Sequence, residues 1–367
     1  MLDIIKLLGI MRDKRASDVH IRTNDKPYLR IDGRIHPVEG ASEYGADDIK
    51  AAVVSIMNEE QKKNFYSKHE CDLAMTIEDL GRFRLNIYQQ RGGVNVAVRF
   101  IPVNVPTVEE LNLPAVLKKI AENNNGLVLV TGPTGSGKSS TLAAMIDHIN
   151  STVSCHIITV EDPIEFIHVN KKAIVSQREI GIDTLNYADA LRNIVRQDPD
   201  VILIGEMRDL ETVRAAITAA QMGHMVLSTL HTIDAIQTIS RIVDLFPPHQ
   251  QGQVRMQLAD TLQGVVCQRL LPMASGSGQI PAVEILLGTP VVRKYIENNN
   301  LNEISGIIKQ GQYYGMQTFN QALIKLYKEG RVKIEDALEA STSKEELMMT
   351  VRGVESSTES AVKLERF

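Results

Sequence analysis

The sequence predicts an α/β protein in two parts: an α+β N-terminal region, a proline-marked linker, and a mostly parallel α/β domain with a helical C-terminal portion. Three observations predict it. Gly132-Pro133-Thr134-Gly135-Ser136-Gly137-Lys138-Ser139 fits G-x-x-x-x-G-K-[ST] between an apolar run, 127–131, and a helical repeat of Leu142, Met145, Ile146 and Ile149. Short apolar strands at 127–131, 156–160, 201–205 and 225–229 alternate with helical stretches at 138–150, 184–197 and 210–221, the pattern of a parallel sheet. Before them, residues 1–101 show strand-like alternation, and Pro102, Pro106 and Pro114 punctuate the junction. The expected boundaries are 1–101 for the first domain, 102–113 for an extended linker and 114–367 for the second, with a mobile Ser- and Glu-rich tail from about 352.

In the first region, Ile4, Leu7, Leu8 and Met11 share one face of a helix over 2–12. Residues 18–22 alternate as a strand, and Asp32-Gly33 marks a hairpin between 28 and 35. One helix is expected over 46–66, with Ile49, Val53, Ile56 and Met57 inward. From Gly81 to Ile101, Phe83, Leu85, Ile87, Val94, Val96, Val98 and Phe100 alternate with polar residues. A two-residue turn at Arg91-Gly92 would set Arg84 opposite Arg99 on the polar face. Like charges directly opposite repel. An anion is therefore expected against them, either a phosphate or the acidic side of a neighbouring subunit, unless the arginines splay into solvent.

Parallel α/β sheets bind ligands at the carboxyl ends of their strands. Strand 156–160 ends in Glu161-Asp162-Pro163, carboxylates placed to hold a metal or polarise a water. Strand 201–205 is followed by Glu206, an apolar strand with a terminal acid. Strand 225–229 leads to His231, placed to donate to a γ-phosphate. In the glycine-rich loop, backbone N–H groups curl around phosphate oxygens at a helix N-terminus. Lys138 is expected on the β- and γ-phosphates and Ser139 on Mg²⁺. Past 233 the chain reads as largely helical: Ile233, Ile236, Ile239 and Ile242 recur, and 249–271 resumes a helix with Val254, Leu258, Leu262 and Val265 inward.

Composition bounds the partners. Of 367 residues, 43% are apolar and 23% charged, aromatics are few, Trp is absent and the net charge is −5. An acidic balance argues against a nucleic-acid-coating machine. Cys71, Cys155 and Cys267 form no CxxC pair, so neither a zinc site nor a disulfide framework is indicated. No apolar run reaches the roughly 20 residues of a membrane span, and no secretory leader is evident, so a cytoplasmic protein touching membranes only through partners is expected.

Four boxes coincide: 132–139, Ile158-Thr159-Val160-Glu161-Asp162-Pro163-Ile164-Glu165-Phe166, Asp198-Pro199-Asp200 through Glu206-Met207-Arg208-Asp209, and Ser228-Thr229-Leu230-His231-Thr232. Together they resemble the Walker A, Asp, Walker B and His boxes of the secretion-type ATPases. Ala16-Ser17-Asp18-Val19-His20 and Gly315-Met316-Gln317-Thr318-Phe319 narrow the resemblance to the PilT/PilU family of type IV pilus retraction ATPases. It spans residues 1 to about 341. The resemblance implies a PAS-like N-terminal domain, a RecA-like ATPase domain and a hexameric ring that hydrolyses ATP with Mg²⁺. It implies Glu161 as activator of water, Glu206 as organiser of Mg²⁺, and His224 with His231 as the His-box pair. Ser140 follows Ser139 where the family usually has Thr. Arg82, Arg84 and Arg99 of the hairpin, and Arg241, would complete the nucleotide site as domains and subunits close. The implied partners are an inner-membrane pilus platform, the pilus base and a paralogous retraction ATPase. One stretch departs from the family: Val291-Val292-Arg293-Lys294-Tyr295-Ile296 stands where an Ala-Ile-Arg-Asn-Leu-Ile motif is used in retraction, which also admits an accessory motor. The pilus-assembly and secretion ATPases usually carry a four-cysteine zinc module between Gln268-Arg269-Leu270 and Glu284-Ile285-Leu286, and here only a short loop joins them.

Overall fold

The computed structural model describes residues 2–14, 16–31, 33–78, 80–101 and 105–352. The chain divides into two compact units, Met1–Asn104 and Val105–Phe367.

The first unit is α+β. Helix α1 (Ile4–Asp13) starts where the Asp3 carboxylate accepts from Lys6 N at 3.0 Å, and it buries Ile4, Leu7, Leu8 and Met11. Strands β1 (Asp18–Ile21), β2 (Tyr28–Ile31) and β3 (Arg34–Pro37) precede helices α2 (Ala46–Ile56) and α3 (Glu59–Lys68); β4 (Glu70–Ile77), β5 (Gly81–Gln90) and β6 (Gly93–Ile101) follow. The sheet is antiparallel with order β3-β2-β1-β6-β5-β4. Asp32 of the expected hairpin turn lies outside the described residues, although Ile31 and Arg34 pair across it.

The single helix expected over 46–66 is two. Asn58 breaks it: its side chain accepts from Gln61 N at 2.8 Å while the Gln61 side chain accepts from Asn58 N at 2.9 Å, a reciprocal cap that starts a new helix. The β5–β6 hairpin has the expected register, with Arg84 opposite Arg99. Its apolar alternation buries Phe83, Leu85, Ile87, Val94, Val96 and Val98. Each arginine already has a carboxylate of its own unit beside it. Arg99 Nε donates to Asp18 Oδ1 at 2.9 Å, and Arg84 Nη2 lies 3.5 Å from Asp72 Oδ2. Those acids sit on β1 and β4, the strands flanking the hairpin, and their placement depends on a strand order the local pattern does not contain.

The second unit begins with a compact stretch rather than an extended linker. Thr107 and Glu110 cap one another, with Thr107 N donating to Glu110 Oε2 at 2.8 Å, and Val108 and Leu113 are buried in this unit's core. Residues 102–104 of the expected linker lie outside the described residues, as do 353–367 of the tail. Then come α4 (Val116–Ala121), β7 (Gly126–Thr131), α5 (Lys138–Thr152), β8 (His156–Glu161), β9 (Ile174–Glu179), α6 (Tyr187–Ile194), β10 (Val201–Ile204), α7 (Leu210–Gln221) and β11 (Met225–Leu230). Helices α8 (Ala235–Asp244) and α9 (Pro248–Thr261) lead to β12 (Leu262–Pro272) and β13 (Gln279–Leu287). Helices α10 (Pro290–Glu297), α11 (Ile304–Gln310), α12 (Phe319–Lys328), α13 (Ile334–Ala340) and α14 (Lys344–Val351) close the described chain.

The sheet order is β13-β12-β7-β11-β10-β8-β9, parallel except for the β12–β13 hairpin. Strands β7, β10 and β11 are buried throughout, as continuous apolar runs in a sheet covered on both faces should be. The helix expected over 249–271 stops at Thr261 and the chain turns directly into β12. Among the described residues, no helix is long and apolar enough to cross a membrane.

Candidate active site

Three parallel strands deliver the site. β7 runs into the glycine-rich loop, β10 into Gly205-Glu206, and β11, between them, into His231. β8, beside β10, ends on Glu161 itself. Gly205 N donates to the Val160 carbonyl at 2.8 Å, which sets Glu161 and Glu206 at neighbouring strand tips.

The loop tolerates no side chain at Gly132. Its φ is +145°, and a Cβ there would lie 2.3 Å from the Gln268 carbonyl and 2.6 Å from Ser136 Oγ. Ser136 is buried and its Oγ has no hydrogen-bond partner. An orphaned buried hydroxyl in a glycine-rich loop that leads into a helix N-terminus fits a phosphate oxygen. Pro133, Thr134 and Gly135 are exposed at the tip, while Gly137, Lys138, Ser139 and Ser140 are half-buried where α5 begins.

Lys138 folds back over the loop. Its Nζ donates to the carbonyls of Gly132 at 2.9 Å and Pro133 at 3.1 Å and lies 3.5 Å from His231 Nδ1. Burial pulls its pKa down, and the charge of Glu206 opposes that. His231 Nε2 lies 3.0 Å from Glu206 Oε1, and Arg208 Nη2 is 2.7 Å from Glu206 Oε2. With the lysine ammonium on Nδ1, the imidazole proton belongs on Nε2, where it is donated to Glu206. Arg208, Glu206, His231 and Lys138 thus form one connected line.

Glu161 is half-buried at the end of β8, and desolvation pushes its carboxyl up to about 7. Thr159 Oγ1 donates to its Oε1 at 2.6 Å and Gln177 Nε2 at 3.3 Å, both favouring the ionised form. A carboxyl poised near neutrality and fixed by two donors is suited to accept a proton from water.

Not every expected residue comes to this place. His224 sits at the opposite end of β11 from His231, about 23 Å away along the strand, with Nδ1 2.8 Å from the Pro199 carbonyl. Arg241 is exposed on the last turn of α8. Arg82, Arg84 and Arg99 belong to the other unit.

The pattern gave no sign of several residues that shape the site. Gln268 on β12 is buried behind the loop; its Oε1 accepts from Thr141 Oγ1 at 2.7 Å, and its Nε2 lies 2.7 Å from where a Gly137 Cβ would be. Tyr187, the first residue of α6, reaches toward Gly205. Glu284 on β13 is buried, its carboxyl pushed up to about 7 by burial, and it accepts from Ala235 N at 2.9 Å at the start of α8. A polar residue in an apolar strand was the available signal for both, but Gln268 fell in the stretch read as helix over 249–271.

A parallel sheet, a glycine-rich loop before a helix and acids at the adjacent strand tips define a P-loop ATP hydrolase. The family model for "Type II/IV secretion system protein" matches residues 3–366, and the chain belongs to that family. It is 43% identical over 338 residues to the type IV pilus retraction ATPase PilT of Pseudomonas aeruginosa, covering 92% of this chain and 98% of the relative. It is 41% identical over 351 residues to the type IV pilus ATPase PilU of the same organism, covering 96% of this chain and 92% of the relative. A crystal structure of the pilus retraction motor PilT with bound ADP superposes with a TM-score of 0.88 at 44% identity, covering 94% of this chain and 99% of that one.

Proposed function

We propose that this chain is a hexameric motor that hydrolyses ATP to retract type IV pili. The observation that carries the reading is the connected line from Lys138 through His231 to Glu206, set beside a half-buried, near-neutral Glu161, in a chain similar to a retraction motor along nearly its whole length. Lys138 moves from the loop carbonyls to the β- and γ-phosphates. The loop from Gly132 to Ser140 wraps them, with Ser136 Oγ gaining the partner it lacks. Mg²⁺, held by Ser139 and Glu206, would neutralise phosphate charge as the terminal phosphoryl leaves. Glu161 orients the attacking water and takes its proton. His231 reads the γ-phosphate and reports it to Glu206 and Arg208 through the imidazole.

In the assembled ring we assign Arg84 and Arg99, with Arg82 and Arg241, to the nucleotide of an adjacent copy. Arg99 supports this best: its side chain is 72% exposed although Asp18 holds its Nε. His224 is assigned a supporting part through the Pro199 carbonyl, on the loop that enters β10. The motor would work at the cytoplasmic face of the inner membrane, on a platform protein at the pilus base, and without nucleic acid. A second reading, an accessory motor beside a paralogous ATPase, is favoured by the altered Val291–Ile296 stretch and by 41% identity to PilU across 96% of the chain.

Complementation tests both. Cells lacking their own retraction motor should regain twitching when given this chain. Restoration only when a paralogue is co-expressed selects the accessory reading, and failure with and without it rejects both. ATPase activity unchanged by single-stranded DNA is the companion result.

A further inference from the structure

Gln177 lies on β9, the strand at the edge of the sheet beside β8, and its amide makes three hydrogen bonds. The β8–β9 register pairs Thr159 with Gln177, so the two side chains stand next to each other on neighbouring strands and donate to the same oxygen, Glu161 Oε1. The orientation of the amide follows from the chain beside it. Gln177 Oε1 accepts from His168 N at 2.8 Å, and Nε2 donates to the Phe166 carbonyl at 2.9 Å. A backbone N–H can only donate and a backbone carbonyl can only accept, so these contacts fix which end of the amide is oxygen and which is nitrogen. The second N–H of that nitrogen is left for Glu161 Oε1, 3.3 Å away. A flipped amide would lose both backbone contacts and set an oxygen against the carboxylate. Thr159 ties Glu161 only to its own strand. Gln177 ties it to the connection that follows, which is also held where Ile164 N donates to Glu179 Oε2 at 3.3 Å and where Asn150 binds the Val169 carbonyl at 2.8 Å and Lys171 N at 3.0 Å. The backbone of Glu165, next to Phe166 in that connection, is hydrogen-bonded to the Glu161 carboxylate as well.

We propose that Gln177 is a positioning residue of the hydrolytic centre: its amide locks the backbone at Phe166 and His168 to β9 and, with the N–H left over, fixes Glu161 Oε1. The inference rests on the role proposed above for Glu161. The carboxylate that takes the proton from water is thus aimed by the stretch of chain that follows it, through one side chain that grips both. Because the two backbone contacts hold the amide in place before ATP arrives, its donor needs no reordering when the proton moves. The same grip sets Glu165, and with it the backbone donor to Glu161, so loosening Gln177 weakens two of the contacts that favour the ionised acid.

The test is Gln177→Met in the full-length enzyme, alone and combined with Glu161→Gln, with kcat and KM for ATP measured for each form beside the wild type. Methionine keeps the length of the side chain and removes its donors and its acceptor. The expected result of the single change is a fall in kcat of about tenfold, the scale of one lost hydrogen bond to a charged group. KM for ATP should stay within about twofold, because no contact to the phosphate loop is removed. In the Glu161→Gln background the same change should alter the residual kcat by less than about twofold, since no carboxylate remains to be aimed. A residue that only held the fold together would lower kcat alike in both backgrounds. If Gln177→Met does not fold, Gln177→Glu takes its place in the same comparison, because it keeps an oxygen for His168 N and removes both N–H donors. Wild-type kcat in the Gln177 variant, or an equal loss in both backgrounds, overturns the inference and leaves the role of Glu161 standing. A raised KM with unchanged kcat overturns it too, by making the glutamine part of nucleotide binding. Full activity of Glu161→Gln removes the assignment of the base, and the inference with it.

Discussion

At the scale of single residues, the site's chemistry lies in two groups whose environments differ. Lys138 is a cation that burial makes easier to deprotonate, held on carbonyls it must leave to meet a phosphate. Replacing it by alanine should lower kcat by more than about 10²-fold, as loss of a preorganised charge donor does, without changing the melting temperature by more than a degree or two. A steady-state assay on the purified variant checks this; unimpaired turnover would remove the loop from the mechanism. Glu161 is the opposite case, an acid that burial makes harder to ionise. Its carboxyl, raised to about 7, must be ionised to accept a proton, so kcat should climb as pH rises through that value and level off above it. A kcat profile flat between pH 6 and pH 8, at saturating ATP, would contradict the base assignment. Glu161→Gln should keep nucleotide affinity and lose about 10²- to 10⁴-fold in kcat.

At the scale of elements, the chain was most legible where one period ran without interruption. The strands leading to the loop, to Glu206 and to His231 stand where their apolar runs put them, and the β5–β6 hairpin has the register its Arg91-Gly92 turn dictates. Legibility failed where two elements abut. Leu258, Leu262 and Val265 carry helical spacing across the boundary between α9 and β12, so the pattern continued after the backbone had changed. The β-branched run Val265-Val266 was the outweighed signal. β9 was missed because its exposed and half-buried residues, Ile174 to Arg178, show no clean alternation. The break at Asn58 was readable in principle, since Asn and Gln three apart is a capping signature. Asn58→Ala should cost about 1 kcal/mol of the first unit's stability, seen as a lower urea midpoint at constant slope. An unchanged midpoint would mean that packing of Phe65, not the cap, positions α3. In α10, the arginine and isoleucine of the altered Val291–Ile296 stretch both have structural work: Arg293 donates to the carbonyls of Gly288 and Asp260, each at 3.0 Å, and Ile296 is buried. Of the replaced residues, Val291 and Lys294 are exposed, whereas Val292 is buried and Tyr295 packs against the core.

At the scale of the whole molecule, the ring proposal makes activity a property of assembly. Specific activity should fall on dilution below the association range and return on concentration, with sedimentation showing the parallel loss of hexamer. Constant activity in a proven monomer would sink it. Glu284 carries a consequence of another kind. Its one carboxyl accepts from the backbone of Ala235, where α8 begins four residues after His231, and it is also hydrogen-bonded to the backbone at Phe319, where α12 begins. Its folded pKa is raised from 4.5 to about 7, so its contribution to stability is full at acid pH and is lost as pH rises through about 7, by about 3 kcal/mol. Glu284→Gln should flatten the dependence of melting temperature on pH in that window. Mechanically, the carboxyl is a hinge pin shared by two levers. Neither helix start can travel without its twin unless the pin lets go, so a displacement born at the histidine would arrive at α12 as the same displacement rather than as slack. Removing the pin with Glu284→Ala should speed amide exchange at Ala235 and Phe319 together.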